Sequence, residues 1–516
     1  MSTNTQIERD GLFELSDSAR EQLAPSSYYN KDLAPTSISQ RTWGTYNIAS
    51  LWIGMAICIP SFTMASSLVG LGLSPWAAVF NVTLGNLIIL IPIQLNSHAG
   101  TKYGIPFPVF SRTTFGSIGA HLPALSRGLT ACGWCAVQSW VGGASIVALI
   151  GAFAPGFKEM GTVNFLGAPV DIAHLIGFFI FLVIVWAIAF RGQDGIKWME
   201  AIGAPILIVL SIALLIWSTS LVSGDGKGVS DILQATTNTE AIAANGGWLY
   251  IFLGGLTANI AFWATMALNI PDFSRFAKNQ KAQFRGQLIG MPIMMFFCAF
   301  VGAYFAQATF IHGGEAIFDP TVILYDLNPV AAVIVSIGVA LATLTTNIAA
   351  NVVAPANGFS NVFPRKISYR TGVIITCILT IFFRPWWIFG GAGAYIFGWL
   401  GTYGTILAPL AAIFIADYYI IRKRKLDVMG LFQGKESRYW YQGGFNLRAI
   451  VAWVVAFALP LIDQFGGLFN GWVVANGYMF SFLIGFIVYW LLMKNEKVSQ
   501  LSVEDHDAMT EKVSSK

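Results

Sequence analysis

Apolar runs of about 20 residues recur along this chain, each long enough to cross the hydrocarbon core of a bilayer as a helix. Inside hydrocarbon every backbone N–H and C=O needs a partner within the protein, which confines such runs to packed α-helices. Twelve spans are expected, at roughly 46–69, 76–97, 120–152, 172–190, 199–222, 248–271, 286–308, 328–353, 371–384, 389–416, 447–465 and 471–493. The ninth is short and ends at Arg384-Pro385; the third is long, which implies tilt. Only 11% of the 516 residues are charged, against about a quarter in a typical soluble chain. The expected class is therefore an all-α polytopic membrane protein with a lipid bilayer as its surroundings. The net charge of +4 is no argument for nucleic acid, and no nucleic-acid partner is expected. The first 40 residues are polar and lack an apolar h-region, so no signal peptide is expected.

Charge placement tests the count. If the N-terminus is inside, Lys102, Arg112, Arg127, Arg191 and Lys197 all fall on the cytoplasmic side. So do Arg275, Lys278, Lys281, Arg285, Arg365, Lys366, Arg370 and the run Arg422-Lys423-Arg424-Lys425. Only Lys158, Lys227 and Arg384 fall outside, three of the 30 basic residues. A miscounted span would scatter these charges, so the positive-inside rule supports twelve spans with both termini cytoplasmic; the expected location of this multi-pass protein is the cell (plasma) membrane. The expected organisation is a cytoplasmic N-terminal segment (1–45), five helices (46–222) and an extracellular loop (223–247). Five more helices (248–416) follow, then a cytoplasmic loop with two further helices (417–493) and a solvated cytoplasmic tail (494–516).

The two sets of five helices are related by a near-repeat. Trp52-Ile-Gly-Met-Ala-Ile-Cys-Ile-Pro-Ser-Phe62 matches Trp263-Ala-Thr-Met-Ala-Leu-Asn-Ile-Pro-Asp-Phe273 at six of eleven positions. The copies lie in spans one and six, five spans apart, so the second crosses the membrane in the opposite sense. That pattern defines an inverted 5+5 repeat with spans eleven and twelve appended; the alternative is a chance match between two Pro-containing helices. Pro60 and Pro271 each remove an N–H and disturb the carbonyl four residues back, at Ala56 and Ala267. Freed carbonyls at membrane depth either line a cavity, where they suit a hard cation such as Na⁺, or are re-satisfied by neighbouring hydroxyls. Two breaks in matching positions favour a transport site.

Polar residues gather in two other spans. Trp134 and Gln138 in span three are four apart and share one helix face. An indole beside a primary amide suits a flat heterocycle, the ring stacking while the amide reads its edge; ordinary helix packing is the alternative. Span eight carries Ala342-Thr-Leu-Thr-Thr-Asn-Ile-Ala-Ala-Asn351. Its Thr345 and Thr346 hydroxyls and the Ala342 carbonyl offer oxygen ligands without carboxylates, which suits a monovalent cation that must leave again. The competing reading is interhelical hydrogen bonding by Thr and Asn. Glu200, Asp272, Asp417 and Asp463 all fall near span ends. The lack of a central carboxylate favours Na⁺ over H⁺ as coupling ion, while Asp272, just past span six, keeps H⁺ open. No other cofactor is expected. The histidines are scattered and the five cysteines lie in apolar segments, with no nucleophile-and-base constellation, so no enzyme is expected.

At these residues the chain resembles the nucleobase–cation symporter-1 family, whose structural reference is a sodium–hydantoin transporter. The resemblance runs through Asn30-Lys-Asp-Leu-Ala-Pro35, Leu51-Trp-Ile-Gly-Met-Ala56 and Lys102-Tyr-Gly-Ile-Pro-Phe-Pro108. It continues through Phe262-Trp-Ala-Thr-Met-Ala-Leu-Asn-Ile-Pro-Asp-Phe273, Asn347-Ile-Ala-Ala-Asn351 and Ala416-Asp-Tyr-Tyr-Ile-Ile-Arg422. It implies a LeuT-like fold with broken helices one and six, a bundle of spans one, two, six and seven, and a scaffold of spans three, four, eight and nine. It further implies that Trp134 and Trp263 sandwich a planar ring, that Gln138 and Asn351 bond its ureido edge, and that Phe262 and Cys58 line the pocket. Na⁺ would bind the carbonyls of Gly54, Ile57 and Ala342 and the hydroxyls of Thr345 and Thr346. Leu400 would fall at a thin extracellular gate. The implied activity is symport of a hydantoin, allantoin, uracil or cytosine-class ring with Na⁺ or H⁺ by alternating access. A LeuT-like symporter for another small ring, such as a vitamin or its precursor, is the alternative. The pattern departs at Cys58, where the hydantoin transporter has Gln, because a thiol cannot replace an amide's hydrogen bonds.

Overall fold

The computed structural model describes residues 5–513 except 192, 326, 364–365 and 498–499; for 193–204, 207 and 503 it describes the backbone alone. The side chains of Lys197, Glu200 and Arg365 therefore lie outside the described residues. Among those described, eight helices are long and apolar enough to cross a membrane, one bent pair makes a ninth span, and three shorter apolar helices complete twelve. Span one is Thr45–Ala56 plus Ile59–Gly70, bent by 55°. Spans two to five are Pro75–Tyr103, His121–Phe153, Ile172–Ala189 and Gln193–Gly224. Span six is Trp248–Phe262 followed by Ala264–Asn269 and a last turn, Pro271–Ser274. Spans seven to nine are Gln280–Gly313, Pro329–Val362 and Tyr369–Ile381. Spans ten to twelve are Ala394–Ile421, Leu447–Gly466 and Gly477–Met493.

Several spans run past their expected ends, because polar residues such as Thr101 and Asn357 stay helical when neighbours bury them. The outer faces are apolar, with Val183, Ile212, Ile293, Ile334 and Leu483 exposed, as a lipid-facing surface requires.

The spans divide into two packed groups. Spans three, four, eight and nine share a core of their own, which includes Cys135, Phe178, Phe181, Leu344, Ile348, Val373 and Cys377. Spans one, two, six and seven share the larger core around Trp52, Ile89, Ile260 and Met291. Small residues let the backbones approach. A Cβ on Gly290 of span seven would meet Trp52 Cβ at 2.7 Å, and one on Gly143 of span three would meet the Phe178 nitrogen at 2.7 Å.

The breaks are displaced from the prolines. Span one unwinds at Ile57-Cys58, and Pro60 sits in the first turn of the next helix, where its missing N–H costs nothing. Span six breaks at Trp263, and Pro271 starts its last turn. The carbonyls expected to be freed are taken. Ala267 O accepts from Asn96 Nδ2 at 2.8 Å, and Ala56 O from the Cys58 N–H at 3.1 Å.

The end carboxylates serve structure. Asp417 pairs with Arg422 Nε at 2.7 Å and accepts from Tyr489 OH at 2.7 Å and Thr114 Oγ1 at 2.8 Å, clamping span ten to span twelve. Asp463 accepts four backbone N–H groups, those of Phe469, Gly471, Val473 and Val474, in the link between spans eleven and twelve.

Both ends of the chain meet on one face, called here the terminal face. Strands β1 (Gln6–Arg9) and β2 (Leu12–Leu15) pair antiparallel, and β3 (Thr510–Lys512) adds to β1 in parallel. This corrects the expectation of a solvated tail: alternating residues bury Phe13, Leu15 and Thr510, and His506 packs edge-on to Phe13 at 5.4 Å. Nearby, Trp43 N donates to Phe276 O at 2.9 Å and Lys278 N to Trp43 O at 2.9 Å, tying the lead into span one to the link after span six. Burial, with Lys102 and Lys425 adding to it, lowers the His506 pKa to about 4. A docked tail thus binds fewer protons than a free one, so docking is strongest above about pH 6.5. We predict that docking weakens as pH falls from there to about 4. A protection factor at 510–512 that falls over that window supports it, and a pH-independent protection factor opposes it.

Candidate functional site

Where the two groups face each other, the breaks of spans one and six and the polar stretches of spans three and eight surround one cavity. Its lining includes Cys58 and Met55 from span one, Trp134 and Gln138 from span three, and Phe262, Trp263, Thr265 and Met266 from span six. Thr346, Ala350 and Asn351 of span eight complete it. All six residues expected to touch substrate are therefore brought together, and all are buried. Trp134 and Gln138 share a helix face because they are one turn apart. Trp263 reaches the cavity because the chain leaves the helix at that residue, with φ −101° and ψ 11°. Asn351 lies in a π-helical stretch, Asn347–Val352, whose extra residue per turn re-aims its side chain.

The aromatic geometry is edge-on. Phe262 stands against Trp134 at 5.1 Å and 77° and against Trp263 at 5.0 Å and 85°. It thus touches both indoles at once. Trp263 also rests on Trp52 at 5.1 Å, so both tryptophans of the near-repeat meet at the two breaks. Trp134 Nε1 donates to Tyr403 OH at 3.2 Å, which donates to Ala261 O at 2.9 Å. Span ten therefore fixes the Trp134 ring and satisfies a carbonyl just before the span-six break. Tyr395, also of span ten, donates to Pro60 O at 3.3 Å beside the span-one break.

Two polar atoms at the cavity have no partner. Gln138 Oε1, an acceptor, and Trp263 Nε1, a donor, are buried and unbonded. Buried polar groups are otherwise almost always paired. Asn351 Nδ2 donates to Asn347 Oδ1 at 3.2 Å, and Asn347 Nδ2 to Ser139 Oγ at 3.1 Å. Asn347 thus ties span eight to span three, and Asn351 alone of the pair lines the cavity.

Four of the five expected cation ligands fall into two bonded pairs. Thr346 Oγ1 donates to Gly54 O at 3.1 Å, across from span eight to span one, and Thr345 Oγ1 donates to Ala342 O at 2.8 Å. Ile57 lies in the unwound link, φ −82° and ψ 92°. Leu400 is fully buried at the end of the π-helical start of span ten and does not line the cavity. Tyr403, Tyr395 and Thr265 were not singled out in the sequence. Tyr403 and Tyr395 lie in an aromatic-rich helix, where residue type alone does not point to the cavity.

The model of a family described as permease for cytosine/purines, uracil, thiamine, allantoin matches residues 35–489. A purine-uracil permease of Arabidopsis thaliana is 40% identical over 495 residues, covering 93% of this chain and 80% of that protein. An allantoin permease of Bacillus subtilis is 34% identical over 478 residues, covering 92% of this chain and 95% of that protein. The chain belongs to this family of membrane permeases, the nucleobase–cation symporter-1 family. Its fold is that of Mhp1, a family member solved in a closed conformation with bromovinylhydantoin bound: TM-score 0.75 at 22% identity, covering 94% of this chain and 99% of that one.

Removing the Tyr403 hydroxyl leaves the Trp134 N–H unpaired in a dry interior and takes from the Ala261 carbonyl one of its donors, the Trp263 N–H remaining, a cost of about 1–3 kcal/mol. Tyr403→Phe is expected to lower the melting temperature of the detergent-purified protein by several degrees. An unchanged melting temperature would show that these groups find other partners.

Proposed function

We propose that this protein imports a planar ureido heterocycle of the uracil, cytosine, hydantoin or allantoin class by symport with Na⁺ across the plasma membrane. The terminal face is then cytoplasmic. The observation that carries the reading is the unpaired couple at the cavity. Gln138 Oε1 calls for a donor and Trp263 Nε1 for an acceptor, beside two indole rings. A ureido edge, –NH–CO–NH–, supplies both on one flat ring. Stacking is worth about 1–3 kcal/mol per ring but discriminates little. The amides discriminate, because a wrong ligand leaves them unpaired. The amide of Asn351 is placed to read the same edge, and Cys58, its Sγ 3.2 Å from Ser61 Oγ, sets how much of the ring fits.

The cation reading is supported by neutral oxygens alone. The Gly54 carbonyl and the Thr346 hydroxyl, 3.1 Å apart, join the bundle to the scaffold, and Ile57, Ala342 and Thr345 complete the proposed set. An ion held there favours the arrangement that receives substrate from the far side, and by linkage substrate tightens the ion equally. The buried Asp272 lies outside both sets, which favours Na⁺ over H⁺ coupling.

Uptake of labelled uracil, allantoin and hydantoin by cells expressing the protein tests both parts. Gln138→Ala is expected to lower kcat/KM for the carried ring by at least about tenfold with surface expression retained. Thr345→Ala with Thr346→Ala is expected to abolish the dependence of uptake on Na⁺. Undiminished uptake by Gln138→Ala would sink the pocket. Wild-type uptake indifferent to Na⁺ and driven by the proton gradient would sink the sodium assignment.

A further inference from the structure

Seven residues before Trp134, nearer the terminal face, span three carries Arg127, whose side chain is only 1% exposed. Its Nε donates to Asn269 Oδ1 at 3.0 Å, and its Nη2 to Ala350 O at 2.9 Å. Its Nη1 has no partner, and among the described residues no carboxylate pairs with it directly. Asn269 in turn donates to Asp272 Oδ2 at 3.4 Å, whose other oxygen accepts from the Phe107 N–H at 2.8 Å. One guanidinium therefore bonds span three to span eight within the scaffold and reaches span six of the bundle.

The chemistry of this contact suits a joint that opens. Arg422 on the same face is held by a carboxylate, at 2.7 Å from Asp417; parting such a buried pair strands two charges and is strongly unfavourable. Arg127 is held across the divide by a neutral amide, with the Asp272 carboxylate only behind it, so parting it breaks no direct ion pair. Its orphan Nη1 also makes the closed state costly, because a buried unsatisfied charged group forgoes hydration. Water entering between spans three and six would repay that loss.

We propose that the Arg127–Asn269 contact is the bolt of the gate on the terminal face, below the cavity. Arg127 is a positioning residue: it acts on spans six and eight, not on the transported ring. Ala350, whose carbonyl it holds, lines the cavity next to Asn351, so a ring that engages Asn351 pulls on the stretch that aims Arg127. That link to substrate rests on the pocket reading above; the bolt itself does not. Asn269 is also the counterpart of Cys58 in the near-repeat. The two copies thus place one residue at the pocket and its equivalent at the gate.

Hydrogen exchange of the purified full-length protein in lipid nanodiscs, with no substrate present, tests the bolt apart from the pocket. Arg127→Lys keeps the charge but loses the fork, and Asn269→Ala removes the acceptor while leaving the charge of Arg127 and of Asp272 in place, at the loss of the weaker 3.4 Å bond to Asp272. Each is expected to speed exchange in 264–274 and 347–352 by about tenfold, the effect of losing one charge-assisted bond, with 172–189 and 477–493 unchanged. The double variant is expected to fall short of the sum of the singles, because the two substitutions share the Arg127–Asn269 bond. Unaltered exchange in folded Asn269→Ala overturns the proposal even if Arg127→Lys fails to fold. Effects that add in the double variant, or faster exchange throughout the protein, overturn it too.

Discussion

The structure turns on the demand that backbone polar groups inside a membrane be satisfied by the protein itself. Spans one and six violate helical continuity at Ile57-Cys58 and at Trp263, and much of the surrounding architecture answers those two violations. Tyr403 supplies the Ala261 carbonyl, Tyr395 the Pro60 carbonyl, Asn96 the Ala267 carbonyl and Thr346 the Gly54 carbonyl. Each donor comes from a different stretch of another span, so the breaks can persist only where spans two, eight and ten converge on them. The cavity sits at that convergence.

Much of this was legible in the residues. Twelve apolar runs gave the spans, since hydrophobic length is a strong signal in a membrane. The near-repeat located the broken helices, and one-turn spacing put Trp134 beside Gln138. The exact breaks were not legible. A proline marks where a helix cannot continue upstream, but it is comfortable in a first turn, so the unwound residues lie before Pro60 and before Pro271. Span ten was also hidden. Its Tyr395 and Tyr403 are unremarkable in an aromatic-rich helix, and only the packed structure points them at Trp134. The folded tail was missed because three-residue strand pairing between the two chain ends leaves no local pattern.

The repeat has acquired an asymmetry. Its first copy presents Gly54 and Ile57 at the break and Cys58 at the cavity. Its second presents Trp263 to the cavity and sends Asn269 toward Arg127. A symmetric ancestor would place equivalent groups on opposite sides of the membrane; here one end holds pocket chemistry and the other a hydrogen bond that can be exchanged for water. Such a division suits a carrier whose substrate site stays in place while the two helix groups move about it.

The most direct test of the ureido claim is calorimetric titration of the purified protein, in Na⁺ buffer, with the carried ring and with its analogue methylated at the ureido nitrogens. Methylation keeps the flat ring and removes the N–H that Gln138 Oε1 needs. The predicted result is affinity for the parent ring and at least about tenfold weaker binding of the methylated one. Equal affinity for the two would contradict it, leaving a pocket that recognises flatness alone.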